Sequence, residues 1–303
     1  MNNIYKYNSL NSTNNKYKVK YSNLKKSNKS NKKSLLFSSI EPIISDIINL
    51  FEEEHILGIS IFQTDDNIYI LIGESHHKLE KETNKSFYRI YKDMIGGKYS
   101  INNIDVFVES QINLEPLINT KNLSEYKFDD NERTDESFRR ITNFKPVNNL
   151  NINPHYIDIR DNSIYFWLDL AFRSNSEEKN EIIKNIFILI NDNYIRYLKK
   201  LIESIIIEIK NKEKVKNLMD FINYTTEFLI NREEIFETNK IITYDELSFL
   251  SGLVINPYIL AKIYSTKSPI KIFYGGLNHI TMIDKELKEH ENIQVYFSKF
   301  KDQ

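Results

Sequence analysis

Six histidines occur in the 303-residue chain, at positions 55, 76, 77, 155, 279 and 290, and two of them close the same four-residue pattern. Gly73-Glu74-Ser75-His76 and Gly276-Leu277-Asn278-His279 are both Gly-x-x-His. Each follows an apolar run with strand character, Ile68–Ile72 or Ile270–Tyr274, and each precedes a segment with helical spacing. A Gly at a strand end permits positive φ and close backbone approach, so the chain can turn sharply there. The residues that follow then sit near a helix N-terminus, where free N–H groups and the dipole favour an anion. A His in that position is biased towards its neutral form, which suits a general base or a metal ligand.

Two more polar residues end apolar strands: Glu109 after Ile104–Val108, and Arg160 after Tyr156–Ile159. Strands separated by helices usually form a parallel sheet, and such sheets bind ligands outside the carboxyl ends of their strands. Glu74, His76, Glu109, Arg160 and His279 are therefore expected to converge in one crevice, supported by Gly73, His77, Asp158 and Gly276. Each has a plainer alternative. A Gly-x-x-His can be a simple turn, His77 an exposed side chain and Glu109 a solvated carboxylate. Arg160 can be an ion-pair partner of Asp158 or Glu109. Asp158 alternates with Ile157 and Ile159, so it can face away from the core side. His55, His155 and His290 lack a comparable setting and read as structural or surface residues.

In this order, the two Gly-x-x-His turns with Glu109 and Arg160 between them resemble the erythromycin esterase/ChaN/TraB–Tiki superfamily. The resemblance covers residues 58–300 at the level of motifs. Gly-Glu-x-His is closer to the esterase and ChaN branches than to the Thr-containing TraB form. The resemblance implies different chemistry by branch: metal-dependent proteolysis in Tiki-like members, lactone opening by a His base with acidic partners in the esterases, and haem or iron in ChaN-like members. Position by position, it implies base or metal-ligand roles for His76 and His279. It makes Glu74 and Glu109 an acid/base or ligand pair, and Arg160 a stabiliser of negative charge.

The leading expectation is a hydrolase of an ester or amide bond in a small-molecule or peptide substrate. Water would be activated by His76 with Glu74, or by a divalent metal (zinc, manganese or cobalt) on His76, Glu109 and His279. One alternative is a non-catalytic metal- or haem-binding protein, with Tyr274 and the His pair as ligand candidates. The other is an interaction protein that has kept the fold without the chemistry, with its Lys-rich tail as the working part.

The elements that must position these residues read as an α/β domain with a mostly parallel central sheet flanked by helices. A disordered basic tail spans 1–37 and a single domain 38–303, with a polar insertion at 111–149 and a helical block at 164–264. Ser38 with Glu41 is a capping-box pattern that opens a first helix, with Pro42 in its first turn. Ile59–Gln63 and Ile68–Ile72 read as strands joined by a turn at Asp65-Asp66-Asn67. A helix from Leu79 to Met94 ends at Gly96-Gly97, and Glu136–Ile141 is a further helical candidate within the insertion. Apolar spacing from Ile183 to Ile205 marks one long amphipathic helix or two. Thr243 with Glu246 opens another to Tyr264, a helix to Lys288 follows His279, and Ile293–Phe297 is a last strand.

Composition narrows the function classes. Ile, Asn, Lys and Tyr abound while Gly and Pro are scarce, the signature of an A/T-biased genome such as those of some giant viruses and protists. Cysteine is absent, which excludes disulfides, thiolate metal sites and Cys nucleophiles. The net charge is −1, yet nine lysines and no acid precede residue 40, so the remainder carries −10. An acidic body argues against a nucleic-acid-binding domain. No apolar run reaches the ~18 residues of a membrane span, and no secretory leader pattern opens the chain. An intracellular, cytoplasmic protein is expected (in host cytoplasm or virion for a viral source).

Overall fold

A computed structural model describes residues 30–53, 55–75, 87–99, 103–111, 152–159, 170–171, 176–189, 192–230, 244–290 and 292–301. Six strands form one sheet: β1 Ile56–Gln63, β2 Ile68–Glu74, β3 Ile104–Gln111, β4 Ile152–Asp158, β5 Ile270–Gly276 and β6 Gln294–Phe300, in the spatial order β4-β3-β5-β2-β1-β6. The described helices are α1 Ser30–Asn49, α2 Phe87–Ile95, α3 Ser176–Leu189, α4 Asp192–Ile206, α5 Lys212–Ile230, α6 Tyr244–Ser265 and α7 Leu277–His290.

The architecture is α/β, but the sheet is mixed rather than mostly parallel. β4–β3, β3–β5 and β5–β2 pair in parallel, whereas β2–β1 and β1–β6 pair antiparallel. The reason is local. β1 and β2 are joined by a tight turn and not by a helix, so the rule linking helical crossovers to parallel strands does not reach β1. Thr64 builds that turn: its N–H donates to the Asn67 carbonyl (2.8 Å), and its hydroxyl oxygen accepts from the Asn67 N–H (3.1 Å).

Side-chain alternation along the strands makes two cores. On one face Ile68, Ile70, Ile72, Ile104, Val106, Val108, Ile270, Ile272 and Tyr274 pack with Ile40, Ile43, Ile44 and Ile47 of α1 and Phe87 and Tyr91 of α2. On the other, Tyr69, Leu71, Phe107 and Phe273 pack with α3 to α7, including Leu253, Ile259, Ile280 and Ile283. Covered on both sides, β2 and β5 are buried throughout, which is why they read as unbroken apolar runs. Each fully buried Ile or Leu contributes about 1.5–3 kcal/mol of transfer free energy.

Several expected boundaries move. α1 starts at Ser30 and not at Ser38, so Ser38 and Glu41 lie within the helix and Pro42 in its interior. No Gly or Pro separates Ser30 from Glu41 to stop the helix earlier. β4 begins at Ile152, ahead of the expected Tyr156, because an edge strand tolerates Pro154. The spacing from Ile183 to Ile205 resolves into two helices, α3 and α4. The Gly96-Gly97 stop is present: Gly97 has φ +78° and its N–H donates to the Met94 carbonyl (3.1 Å). The tail before residue 30, positions 79–86 of the expected helix, and the insertion at 112–149 with its helical candidate lie outside the described residues. No described helix is long and apolar enough to cross a membrane.

The amino end of the parallel strands is closed by buried polar contacts. Asp105 of β3 accepts hydrogen bonds from His155 Nε2 (2.9 Å), Asn153 Nδ2 (3.2 Å) and the Ser268 N–H (3.2 Å). Burial pushes the Asp105 carboxyl up, but the His155 contact, the Ser268 N–H and the Lys271 charge outweigh it and hold it at about 2. Lys271 caps α6, its Nζ donating to the carbonyls of Ile263 (2.7 Å) and Thr266 (2.9 Å). On the α7 side, Asp284 accepts from the Ser60 hydroxyl (2.6 Å) and from Lys288 Nζ (2.7 Å), tying the helix to β1.

Candidate functional site

The starts of the two Gly-x-x-His segments lie side by side because β2 and β5 are paired, with Glu74 opposite Gly276. Neither glycine serves a turn. β2 runs through Gly73 to Glu74, β5 runs through Gly275 and Gly276, and α7 starts at the next residue. The expected positive φ is absent, since Gly97 is the glycine that has it. Close approach is what requires Gly73. A Cβ on Gly73 would stand 2.9 Å from Leu277 Cδ1 and 3.1 Å from Leu277 Cα, so this glycine lets the first turn of α7 lie on the sheet.

Gly275 has the same purpose for the candidate carboxylate. A Cβ there would meet Glu109 Oε2 at 2.8 Å and Glu109 Cβ at 3.0 Å. Glu109 extends over this gap from β3. Its Oε2 accepts the Gly276 N–H (2.6 Å), and its Oε1 stands 3.3 Å from His279 Nε2. The carboxylate thus caps the N-terminus of α7, where the dipole favours negative charge. His279 lies in the first turn of the same helix. Both side chains are nearly buried, at 3% exposure for Glu109 and 5% for His279.

His279 is held at its other nitrogen. Nδ1 lies 2.8 Å from Oδ1 of Asn256, which sits on α6 and is fully buried. The Asn256 amide nitrogen donates to Met282 Sδ (3.0 Å) on α7. The ring is therefore gripped between Asn256 of the helical block and Glu109 of the sheet.

Glu74 joins a different pair. Strand alternation places it on the face of Ile70 and Ile72, where it accepts a hydrogen bond from the Tyr274 hydroxyl. The Tyr274 ring stacks on Phe87 of α2 with centroids 4.6 Å apart. Glu109 lies on the opposite face, with Phe107 and α7. The expected single crevice is thus two polar pairs at one sheet edge, Glu109–His279 on the α6/α7 face and Glu74–Tyr274 on the α1/α2 face. Asp158, at the end of β4, is buried at 2% exposure. His76, His77 and Arg160 lie outside the described residues.

Two donors on one tetrahedral ion, each at about 2.1 Å, stand about 3.4 Å apart. The 3.3 Å between Glu109 Oε1 and His279 Nε2 fits two positions of such a shell. Among the described residues no third His, Cys, Asp or Glu joins them, and His76, the third ligand expected from the sequence, lies outside that set.

Asn256, Gly275 and the Asp105–His155 pair were not among the candidates read from the sequence. Gly275-Gly276 is the sole doublet besides Gly96-Gly97 in a chain with seven glycines, which is a usable signal for a close approach. Asn256 interrupts the apolar stretch Leu253–Leu260, and a buried amide among apolar residues needs a partner. Nothing in the sequence pairs it with position 279. A cleft of about 380 Å³ lined by Thr64, Asp66, Asn211 and Lys214 opens beside the β1–β2 turn, at the far end of β2 from Glu74. Comparison with protein-family models, with curated proteins and with solved structures returned no match.

Proposed function

We propose that the chain is a hydrolase of an ester or amide bond, related to the erythromycin esterase/ChaN/TraB–Tiki superfamily, with Glu109 and His279 as its acid–base centre. The observation that carries this reading is the 3.3 Å approach of Glu109 Oε1 to His279 Nε2 at the C-terminal edge of parallel strands. A carboxylate and an imidazole 3.3 Å apart stand just beyond the reach of proton transfer, and a small tightening on substrate binding would let them pass a proton between them and to a water.

In the proposed step, Nε2 of His279 takes a proton from the attacking water, and Glu109 stabilises the imidazolium that forms. The same proton then returns to the leaving group. Gly276 N–H keeps the Glu109 carboxylate fixed while the charge moves. A divalent ion held by Glu109 and His279 would supply Lewis acidity towards water and the substrate carbonyl. Glu74 belongs to the second polar pair, where the Tyr274 hydroxyl fixes its carboxylate. His76 and Arg160 keep the roles that the resemblance implies, a second base or ligand and an oxyanion stabiliser.

The test is hydrolysis of 4-nitrophenyl acetate and of a peptide anilide by the purified chain, with metal content measured on the same sample. His279→Gln is expected to lower kcat/KM by about 10²–10⁴. Turnover of neither substrate, or equal turnover by wild type and His279→Gln, would sink the proposal.

A further inference from the structure

Asn256 lies in the helical block, on a different helix from His279, yet it makes a 2.8 Å polar contact to the ring. We infer that Asn256 is a positioning residue that keeps a proton on His279 Nδ1 and so aims Nε2 at Glu109. The inference deepens the hydrolase reading and takes from it the assignment of His279 as the base.

The orientation of the Asn256 amide decides which ring nitrogen carries the proton. Oδ1 faces His279 Nδ1 and Nδ2 faces Met282 Sδ (3.0 Å). An amide N–H is a donor and a thioether sulfur a weak acceptor, so this orientation gives each end a complementary partner. The reverse would set the carbonyl oxygen against the sulfur lone pairs, two acceptors facing each other. With Oδ1 towards the ring, the nitrogen opposite must be the donor, and Nδ1 carries hydrogen. Nε2 is then the nitrogen that exchanges its proton with Glu109 or with water.

Packing leaves the amide little freedom. Asn256 is 0% exposed. A Cβ on Gly252 would stand 2.6 Å from Met282 Sδ and 2.9 Å from Asn256 Nδ2, so the glycine one turn earlier makes room for both. Pro257 follows directly and has no N–H to donate along α6, which loosens the helix ladder where the amide must reach α7. A side chain that fixes the second nitrogen of a working imidazole sets its tautomer and its direction together.

The competing explanation is that Asn256 merely links α6 to α7. The two are separated by the state of one nitrogen, read in ¹⁵N-labelled full-length protein by long-range ¹H–¹⁵N correlation of the imidazoles. The His279 signals are identified by their loss in His279→Gln. In wild type, Nδ1 of His279 is expected at a protonated, pyrrole-type shift with an exchange-protected N–H. Asn256→Asp keeps an acceptor and should retain that N–H. Asn256→Leu keeps the volume and should lose it, moving Nδ1 to a pyridine-type shift. A pyridine-type Nδ1 in wild type overturns the inference whatever the variants do, and so does an Nδ1 that ignores Asn256→Leu in a folded protein. Loss of the N–H in Asn256→Leu without any ester turnover in wild type would remove the hydrolase reading and leave the assignment of Asn256 standing.

Discussion

Replacing Gly275 by Ala tests whether Glu109 is held as described. The new methyl would lie 2.8 Å from Glu109 Oε2, 3.0 Å from Glu109 Cβ and 3.2 Å from Phe273 Cε1. The far end of a free glutamate would swing aside cheaply. This one is fixed by the Gly276 N–H at 2.6 Å and by His279, and its Cβ, on the β3 backbone, is also too close. Overpacking costs about 1–3 kcal/mol, and a lost hydrogen bond to a charged group about 1.5–3 kcal/mol. Removing a glycine from the unfolded chain returns about 0.4–1 kcal/mol. A net loss of about 2–5 kcal/mol is expected, read as a lower urea midpoint at unchanged slope. Glu109→Ala removes the tighter contact, so the double variant should be less destabilised than the two single losses added, by about 0.5–3 kcal/mol. Gly275→Ala with wild-type stability, or full additivity with Glu109→Ala, would refute the reasoning.

Other expectations follow from the same contacts. The Asp105 carboxyl sits at about 2 in the fold against an ordinary 3.8, so it adds stability that is fully present above about pH 4 and is lost as pH falls through about 2. The contribution is about 2 kcal/mol, and urea midpoints taken down to acid pH should fall less steeply in Asp105→Asn than in wild type. Gly73→Ala puts a methyl 3.1 Å from the Leu277 backbone and should cost about 1–3 kcal/mol, because α7 must lift from the sheet; a thermal melt unchanged from wild type would exclude this. Asp284→Ala leaves the buried Ser60 hydroxyl without its carboxylate acceptor and should destabilise by about 1–3 kcal/mol in the same assay, whereas Glu289→Ala on the exposed side of α7 should change little.

Strands were the most legible part of the fold. β2 and β5 are covered on both faces, so their apolar runs carry the signal whatever their neighbours are. The edge strand β4 was harder, since Asn153 and Pro154 break the pattern that a central strand would show. The turn at Asp65-Asp66-Asn67 is legible and makes β1 and β2 antiparallel, but the antiparallel pairing of β6 on β1 is not, and together these make the sheet mixed rather than mostly parallel. Of the candidate site, the approach of Glu109 to His279 is the part whose strand-end positions are legible in the sequence. The shared Gly-x-x-His pattern marks two strand ends, the structure pairs those strands, and Glu109 lies 3.3 Å from His279. What the pattern hid was the face. A period of two sends Glu74 and Glu109 to opposite sides of the sheet, and spacing within single strands carries no information about how their registers align. Asn256 was hidden for a different reason, as its partner is a tertiary neighbour supplied by the packing of α6 on α7.

The most direct test of the account is the hydrolysis rate of the double variant Glu109→Gln/His279→Gln beside the two single variants. Two groups that pass one proton act as a unit, so either substitution alone should cost about 10²–10⁴ in kcat/KM and the pair together little more. Single losses that multiply in the double variant would show two independent groups, and a double variant as active as wild type would show that the chemistry lies elsewhere.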